Sequence, residues 1–384
     1  MIPSSQCDGV PPAAPSHFLF RRISASSRSR FLPGNPVYGP PFMVNVIADQ
    51  PAAPVRQAAA GPWRTAWRKL KADRSAIAAF GVLVVIVIAS LAAPLYAQYI
   101  AHTDPFVTNL NGEIVIDGVT QPVLQASTEG LGLGMTPIGP TWRIGPYLLG
   151  ADNQGRDVAA RLFYGGRDSL LISGAAAVLC LVLATFLGVV SGFFGGIVDV
   201  GLSRILDVLW AFPVFLLAIS LSIVLIAQSI QIGPFEIRSG SLWLPIFIIG
   251  IVYVPYVARP IRGHVLTLMQ AEFVTAAIGL GASPWRILLR DIMPNVVTRI
   301  IVFVPLILAL NMMTESSLSF LSIGVQPPDA SWGTIIQDGQ GLLYSRPIVA
   351  LAPGLAIVIT VLALNILGDG VRDALDPKSS PRGI

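Results

Sequence analysis

Few residues in this chain are of a type and spacing that could do chemistry unaided. Glu315 is one, because it interrupts an apolar stretch that begins at Ile300 and runs on to Val325. An ionisable group inside such a stretch is costly and ordinarily faces a bundle interior or a water path. Glu315 is therefore a candidate for lining a pore or for pairing helices. Hydrolysis inside a membrane would call for paired carboxylates, a Ser/His dyad or a His-rich metal site. Glu315 has no acidic partner in the sequence, and His17, His102 and His264 all lie outside the apolar runs. No G-x-x-x-x-G-K-[ST] phosphate loop occurs either, so the chain carries no nucleotide site of that kind. Cys7 and Cys180 are the only cysteines, one near the start and one within an apolar run, and they offer neither a disulfide framework nor a metal site.

A second group lies in LGADNQGRDVAARLFYGGRDSL, residues 149–170, where Asp152, Arg156, Asp157, Arg161, Arg167 and Asp168 alternate in sign beside an apolar run. Mutual pairing and helix capping account for that alternation, with substrate contact as the alternative. Asp152, Gly155, Arg156, Asp157 and Arg161 are thus expected to form an outer structural motif that fixes the end of the following span.

The elements that must position these residues are hydrophobic. Charged residues make up 12% and hydrophobic residues 53% of the 384, with a mean hydropathy of +0.70. A soluble globular chain carries about 25% charged residues. Six apolar runs, each near the ~20 residues that cross a bilayer, predict transmembrane helices near 76–98, 170–195, 206–229, 241–258, 297–322 and 348–367. The net charge of +4 follows topology rather than nucleic-acid binding. With both termini in the cytoplasm, the inner side holds Arg64, Arg68, Lys69, Lys71, Arg74, Arg204, Arg259, Arg262, Arg286, Arg290, Arg299, Arg372, Lys378 and Arg382. The short outer loops hold Arg238 and Arg346, as the positive-inside rule requires.

Residues 1–62 contain 11 of the 31 prolines and read as a disordered tail, of which 1–42 are expected to be a gene-model extension ahead of Met43. Residues 63–104 comprise an interfacial helix, with Trp63 and Trp67 at headgroup depth, and the first span. The extracytoplasmic loop 105–168 contains a predicted hairpin over 113–125, turning at Asp117-Gly118. A core over 169–377 follows, then a short tail, 378–384. Gly188, Gly192, Gly195 and Gly196 suit close helix contact or a bend, and Pro213 and Pro255 are candidate kinks.

Between the fourth and fifth spans lies a polar, basic segment, 259–295. Residues 271–280 suit a short helix with Phe273, Ala277 and Gly281 on one stripe and Val274 and Ile278 beside it. Gly281 is a natural stop, Ser283 a natural N-cap and Pro284 a natural first helical residue. A second helix then carries Trp285, Leu288, Leu289 and Ile292 to Pro294, where the next span begins. Two short helices about a turn make a compact knob at 271–284, suited to docking.

This segment resembles the cytoplasmic signature of permease subunits of ATP-binding-cassette importers: Glu-Ala-Ala, three residues, Gly, nine residues, then Ile-x-Leu-Pro. It falls here on Thr275-Ala276-Ala277, Gly281 and Asp291-Ile292-Met293-Pro294. Thr275 replaces the Glu, and Glu272 one turn earlier is a possible substitute. Residues 149–170, ESSLSFLSIGVQPPDASWG at 315–333 and NILGDGVRDALDP at 365–377 are similar to corresponding segments of dipeptide, oligopeptide and nickel permeases, closest to the second permease of a dipeptide-type system. The resemblance implies an all-α integral membrane protein with a type I importer core. Glu272, Thr275, Ala276, Ala277, Gly281 and Pro294 would then couple it to ATPases.

It also implies partners: a homologous second permease, two ATPase subunits that use ATP and Mg, an extracytoplasmic substrate-binding protein and membrane lipid. No cofactor, metal or catalytic residue is expected in this chain, and no nucleic acid among its partners. Short peptides are the implied cargo, with nickel or other small solutes as alternatives. An ion-coupled secondary transporter and an intramembrane enzyme are the rivals. The near absence of charge and of internal repeats in the spans speaks against the first, and the missing catalytic groups speak against the second.

Overall fold

A computed structural model describes residues 62–376, except 117, 128–133, 228–229, 233–234 and 238–240. The expectations for the Pro-rich tail, Cys7, Asp117, Arg238 and the 378–384 tail fall outside the described residues.

Helix α1, Pro62–Ala72, is short and basic. Asp73 ends it by capping the next helix, α2, Arg74–Leu91, accepting from the backbone N–H of Ser75 at 2.9 Å and of Ala76 at 3.3 Å. Asp157 caps α3, Val158–Phe194, which is 37 residues long. The left-handed pair Gly195 (φ 62°) and Gly196 (φ 55°) then turns the chain into α4, Gly196–Ala211.

The third span, expected as one helix near 206–229, is instead α4 and α5, Val214–Ala227, meeting at 88°. Phe212 is extended ahead of Pro213, as the steric clash between a proline ring and its predecessor demands. Hydropathy runs through that bend without registering it. The fourth span is likewise a pair, α6, Trp243–Val252, and α7, Val254–Met269, bent by 41° at Tyr253 with Pro255 opening the second piece. Helix α7 therefore continues well into the segment read as a polar connector from 259.

The coupling helix α8, Glu272–Gly279, is followed by α9, Pro284–Phe320. A separate helix ending at Pro294 is not found: α9 is continuous, with a π-turn over Ile287–Ile292. Pro294 has no N–H to donate, and the wider register just before it absorbs that loss. Helix α10, Trp332–Gly339, and α11, Ile348–Leu375, complete the chain. Among the described residues, four helices are long and apolar enough to cross a membrane, and counting each bent pair as one span gives up to six crossings.

The helical core is accompanied by three antiparallel hairpins among the described residues, β1–β2 (Glu113–Ile116, Val119–Pro122), β3–β4 (Leu124–Ala126, Met135–Pro137) and β5–β6 (Ile230–Ile232, Phe235–Ile237). The first pairs Ile116 with Val119 across a two-residue turn with Gly118 at φ 80°, where the sequence placed it. The sequence reading did not anticipate the other two, although Gly233-Pro234 between β5 and β6 is a turn dipeptide.

The core lies along α3, which α6 and α7 flank in parallel. A Cβ on Gly188 would meet the Ala258 carbonyl oxygen at 2.7 Å, and one on Gly192 would meet Val265 Cβ at 2.8 Å. Two of the four glycines thus serve close contact and the other two serve the bend. Cys180 is buried in this core.

Candidate functional site

At one end of the bundle α8 and the start of α9 form a knob held by few contacts. Val274 of α8 and Ile287, Leu288 and Ile292 of early α9 are buried and root it in the core, while Phe273, Ile278, Leu280, Trp285 and Leu289 are exposed. Leu280 is 89% exposed, so the apolar face of the knob is turned outward rather than into its own protein. Gly281 sits at φ 78°. Its N–H donates to the Ile278 carbonyl at 2.9 Å, and that of Ala282 to the Ala277 carbonyl at 3.0 Å. This 5→2 and 6→1 pair closes the helix with a left-handed glycine. Ser283 then caps α9, accepting from the N–H of Arg286.

Within the knob, Glu272 opens the first turn of α8 and is exposed, as are Thr275 and Ala276. Ala277 is half-buried against the core. Thr275 Oγ1 donates back to the Ala271 carbonyl at 3.4 Å. Pro294 lies beyond the π-turn on α9, away from the α8 surface residues in sequence but joined to them through that buried turn.

Beneath the knob, charged residues that the sequence reading did not pair lock the helices together. Arg262 of α7 grips Asp199 of α4 with two bonds, Nε to Oδ1 at 2.5 Å and a terminal nitrogen to Oδ2 at 2.6 Å. Ser191 of α3 and Ser203 also donate to Asp199. Arg259 pairs with Asp207 at 2.7 Å and stacks over Trp210 at 4.9 Å from the ring centroid. Counting only basic residues for topology passes over the two aspartates that hold them.

At the other end the 152–161 residues are buried and paired. Arg156 Nε donates to Asp152 Oδ2 at 2.7 Å, and its terminal nitrogen to Asp338 Oδ2 at 2.7 Å. Arg161, 2% exposed, donates to Asp338 Oδ2 at 3.0 Å and to the Pro105 carbonyl at 3.1 Å. Its Nε faces Asp152 at 3.5 Å, an ionic contact without hydrogen-bond geometry. Asp338, which the sequence reading did not single out, lies 182 positions from Arg156.

Asp157 does a different job. It caps α3 through Ala159 and Ala160 and accepts from the N–H of Tyr147 at 2.6 Å. Burial pushes its carboxyl above the ordinary range, against the lowering effect of those three N–H groups. Gly155, at φ 72°, lets the chain pass against the Asn109 carbonyl, which a Cβ would meet at 2.2 Å. Arg167 and Asp168 stand apart from this cluster, Arg167 exposed on α3.

Glu315 is fully buried within the chain and lines no open path. Its Oε1 accepts from Ser319 at 2.8 Å and its Oε2 from Ser316 at 3.2 Å. Ser169 of α3 and Ser331, the N-cap of α10, lie close to the same carboxylate. Of the two roles open in the sequence, the geometry assembles the helix-pairing one. The two constellations converge on a single short element: Glu315 holds the start of α10, and Arg156 and Arg161 hold its end. Trp332 of α10 also donates from Nε1 to the Leu162 carbonyl at 3.0 Å and from its backbone N–H to Ser169 Oγ at 3.1 Å.

This arrangement can anchor and transmit force; no grouping of three or more metal-ligating side chains occurs among the described residues. The family model for binding-protein-dependent transport system inner membrane components matches residues 184–381. That for the N-terminal transmembrane domain of oligopeptide transport permease C matches 61–111.

A glutathione transport system permease protein from Pectobacterium atrosepticum is 34% identical over 317 residues, 83% of this chain and 91% of the relative. A dipeptide transport system permease protein from Alkalihalophilus pseudofirmus is 33% identical over 321 residues, again 83% and 91%. Among solved structures, inward-facing MetNI methionine transporter is similar at 18% identity, with a TM-score of 0.44 over 56% of this chain and 96% of that one. A multi-pass membrane chain with these matches along most of its length belongs to the family of binding-protein-dependent transport system inner membrane components.

Proposed function

We infer that this chain forms half of the translocation pore of an ATP-driven importer, paired with a homologous permease, and that its cargo is short peptides. The observation that carries the reading is the knob: an exposed apolar surface on α8 and early α9, built by local capping and rooted in the core by Val274, Ile287, Leu288 and Ile292. A surface of that kind needs a soluble partner. Two ATPase subunits docked there would supply hydrolysis of ATP with Mg, since the chain has no phosphate loop of its own. Both termini and the knob are cytoplasmic in this reading, supported by the distribution of Lys and Arg.

Closure of the ATPases would push α8, and the ion pairs that join α4 to α7, Arg262–Asp199 and Arg259–Asp207, would carry the displacement between those helices. This is the rigid-element coupling that alternating access requires. An extracytoplasmic binding protein would deliver substrate at the opposite end, over the loops that bracket α10. The relatives are named for glutathione, dipeptide and peptide transport, and that range supports peptide cargo over metal ions.

The test is purification of the solubilised chain with its companions, with and without residues 275–283. The expected result is a second permease and phosphate-loop ATPases with the intact chain, the ATPases lost on deletion while the second permease remains. Recovery of ATPases with the deleted chain, or peptide uptake driven by an ion gradient without them, would overturn the reading.

A further inference from the structure

The first two helices meet α11 in an apolar groove that transport as read above does not use. At the elbow between α1 and α2, Trp67, Leu70, Ile77, Phe80, Leu367 and Val371 line a cleft of about 620 Å³, with Lys71 at its edge. A second cleft of about 720 Å³ shares Phe80 and Leu367 with the first and continues along α2 as far as Leu91. The distance from Ile77 to Leu91 is roughly 21 Å at helical rise, more than the ~15 Å depth of one leaflet's hydrocarbon. The groove is therefore long enough to seat an acyl chain from its head to its tip.

Charge marks which end the head group would take. Helix α1 carries Arg64, Arg68, Lys69 and Lys71 and no acidic residue. Lys69 is committed to the Asp376 carbonyl at 3.2 Å. Lys71 meets no carboxylate among the described residues; its Nζ lies 5.1 Å from the centroid of the Trp67 ring. Trp67 is 60% exposed and lies where an indole meets the headgroup layer. The elbow thus offers an unneutralised ammonium and an aromatic wall directly above an apolar slot that opens sideways into lipid.

We propose that the α1–α2 elbow is a binding site for an anionic glycerophospholipid of the leaflet that faces α1. Its phosphate pairs with Lys71 and one acyl chain lies in the groove along Ile77, Phe80 and Leu367. A soluble anion has no use for the slot, and a zwitterionic lipid brings its own ammonium beside the phosphate, which weakens the pull on Lys71. The bound lipid would tie the interfacial helix to α2 and α11, fixing the angle at Asp73. The site stands whatever the cargo is.

Native mass spectrometry of the full chain released from nanodiscs of equal phosphatidylglycerol and phosphatidylcholine tests it. The expected result is one phosphatidylglycerol retained in preference to phosphatidylcholine. Lys71→Gln should lower retention about fivefold, the loss of one basic contact with an anionic head. Leu367→Trp, which fills the slot and leaves the charge, should lower retention of both lipids. Equal retention of the two lipids by the unaltered chain overturns the head-group assignment without any variant having to fold. Retention of phosphatidylglycerol unchanged by Leu367→Trp, or a cleft found covered by another subunit's helix in the assembled complex, overturns the groove.

Discussion

Removing the Asp338 carboxylate should loosen α10 specifically. Arg156 and Arg161 are 6% and 2% exposed and share two carboxylates, Asp152 and Asp338. In Asp338→Ala, two buried guanidinium groups are left with Asp152 alone. Breaking a buried pair by removing one partner costs about 3–5 kcal/mol. The lower end applies because Asp338 is 22% exposed and water can replace part of it. A loss of about 3 kcal/mol is roughly a hundredfold in an equilibrium constant. If the opening is local, amide exchange over 332–339 should quicken by about that factor while the centre of α3 stays protected.

The double variant Asp338→Leu with Arg161→Met restores charge balance, because Arg156 keeps Asp152. It should lose less than the single change, apart from the bond from Arg161 to the Pro105 carbonyl, worth about 1 kcal/mol. Unchanged exchange in Asp338→Ala, or strict additivity of the two changes, would refute the claim that this cluster holds the end of α10.

Three further outcomes follow from the same geometry. Gly281→Val should cost about 1–2 kcal/mol through its left-handed φ alone, since nothing lies within 4 Å of a Cβ there. Gly281→Asn should cost less, and co-purification of the ATPases should fall with the first and persist with the second. Glu315→Gln should remain close to the parent in thermal unfolding, because the amide still accepts from the serines. Glu315→Leu strands several hydroxyls and should lose about 2 kcal/mol. Gly188→Val should lower the unfolding temperature, since its side chain meets the Ala258 carbonyl at 2.7 Å and Ile261 Cγ2 at 2.9 Å, an overpacking cost of about 1–3 kcal/mol. Gly174→Ala on the same helix, with open space around it, serves as the comparison and should be neutral or stabilising.

What the sequence made legible is local. The caps of the knob at Gly281, Ser283 and Pro284 are short-range consequences of residue type, and so is the Gly118 hairpin. Spans were visible because lipid demands length and apolarity, which are properties of a window. The places of the bends were legible at Pro213 and Pro255, but their angles, 88° and 41°, were not, because packing sets them. The π-turn before Pro294 was equally hidden, because a proline that ends one helix and a proline accommodated inside another look alike in sequence.

The long-range pairings show why the outer motif was half-readable. Asp152, Arg156 and Arg161 announce a need for counter-charge by alternating in sign, but nothing near them says that Asp338 supplies it. Glu315 announces a buried carboxylate, but its partners Ser169 and Ser331 come from two other elements. Glu315 by itself allowed a pore role as readily as a structural one, and the outer motif favoured pairing with substrate contact as the alternative. Their convergence on opposite ends of α10 supports the structural role for both, because the serines around Glu315 and the carboxylates beside Arg156 and Arg161 already engage these groups. Exposed apolar side chains mark the knob, and basic ones mark α1. The chain is therefore built with its charges spent on rigidity inside and its docking surfaces made of exposed apolar and basic side chains outside. A subunit that moves because others push it needs that division: a stiff frame to transmit a displacement, and unsaturated surfaces where the displacement enters.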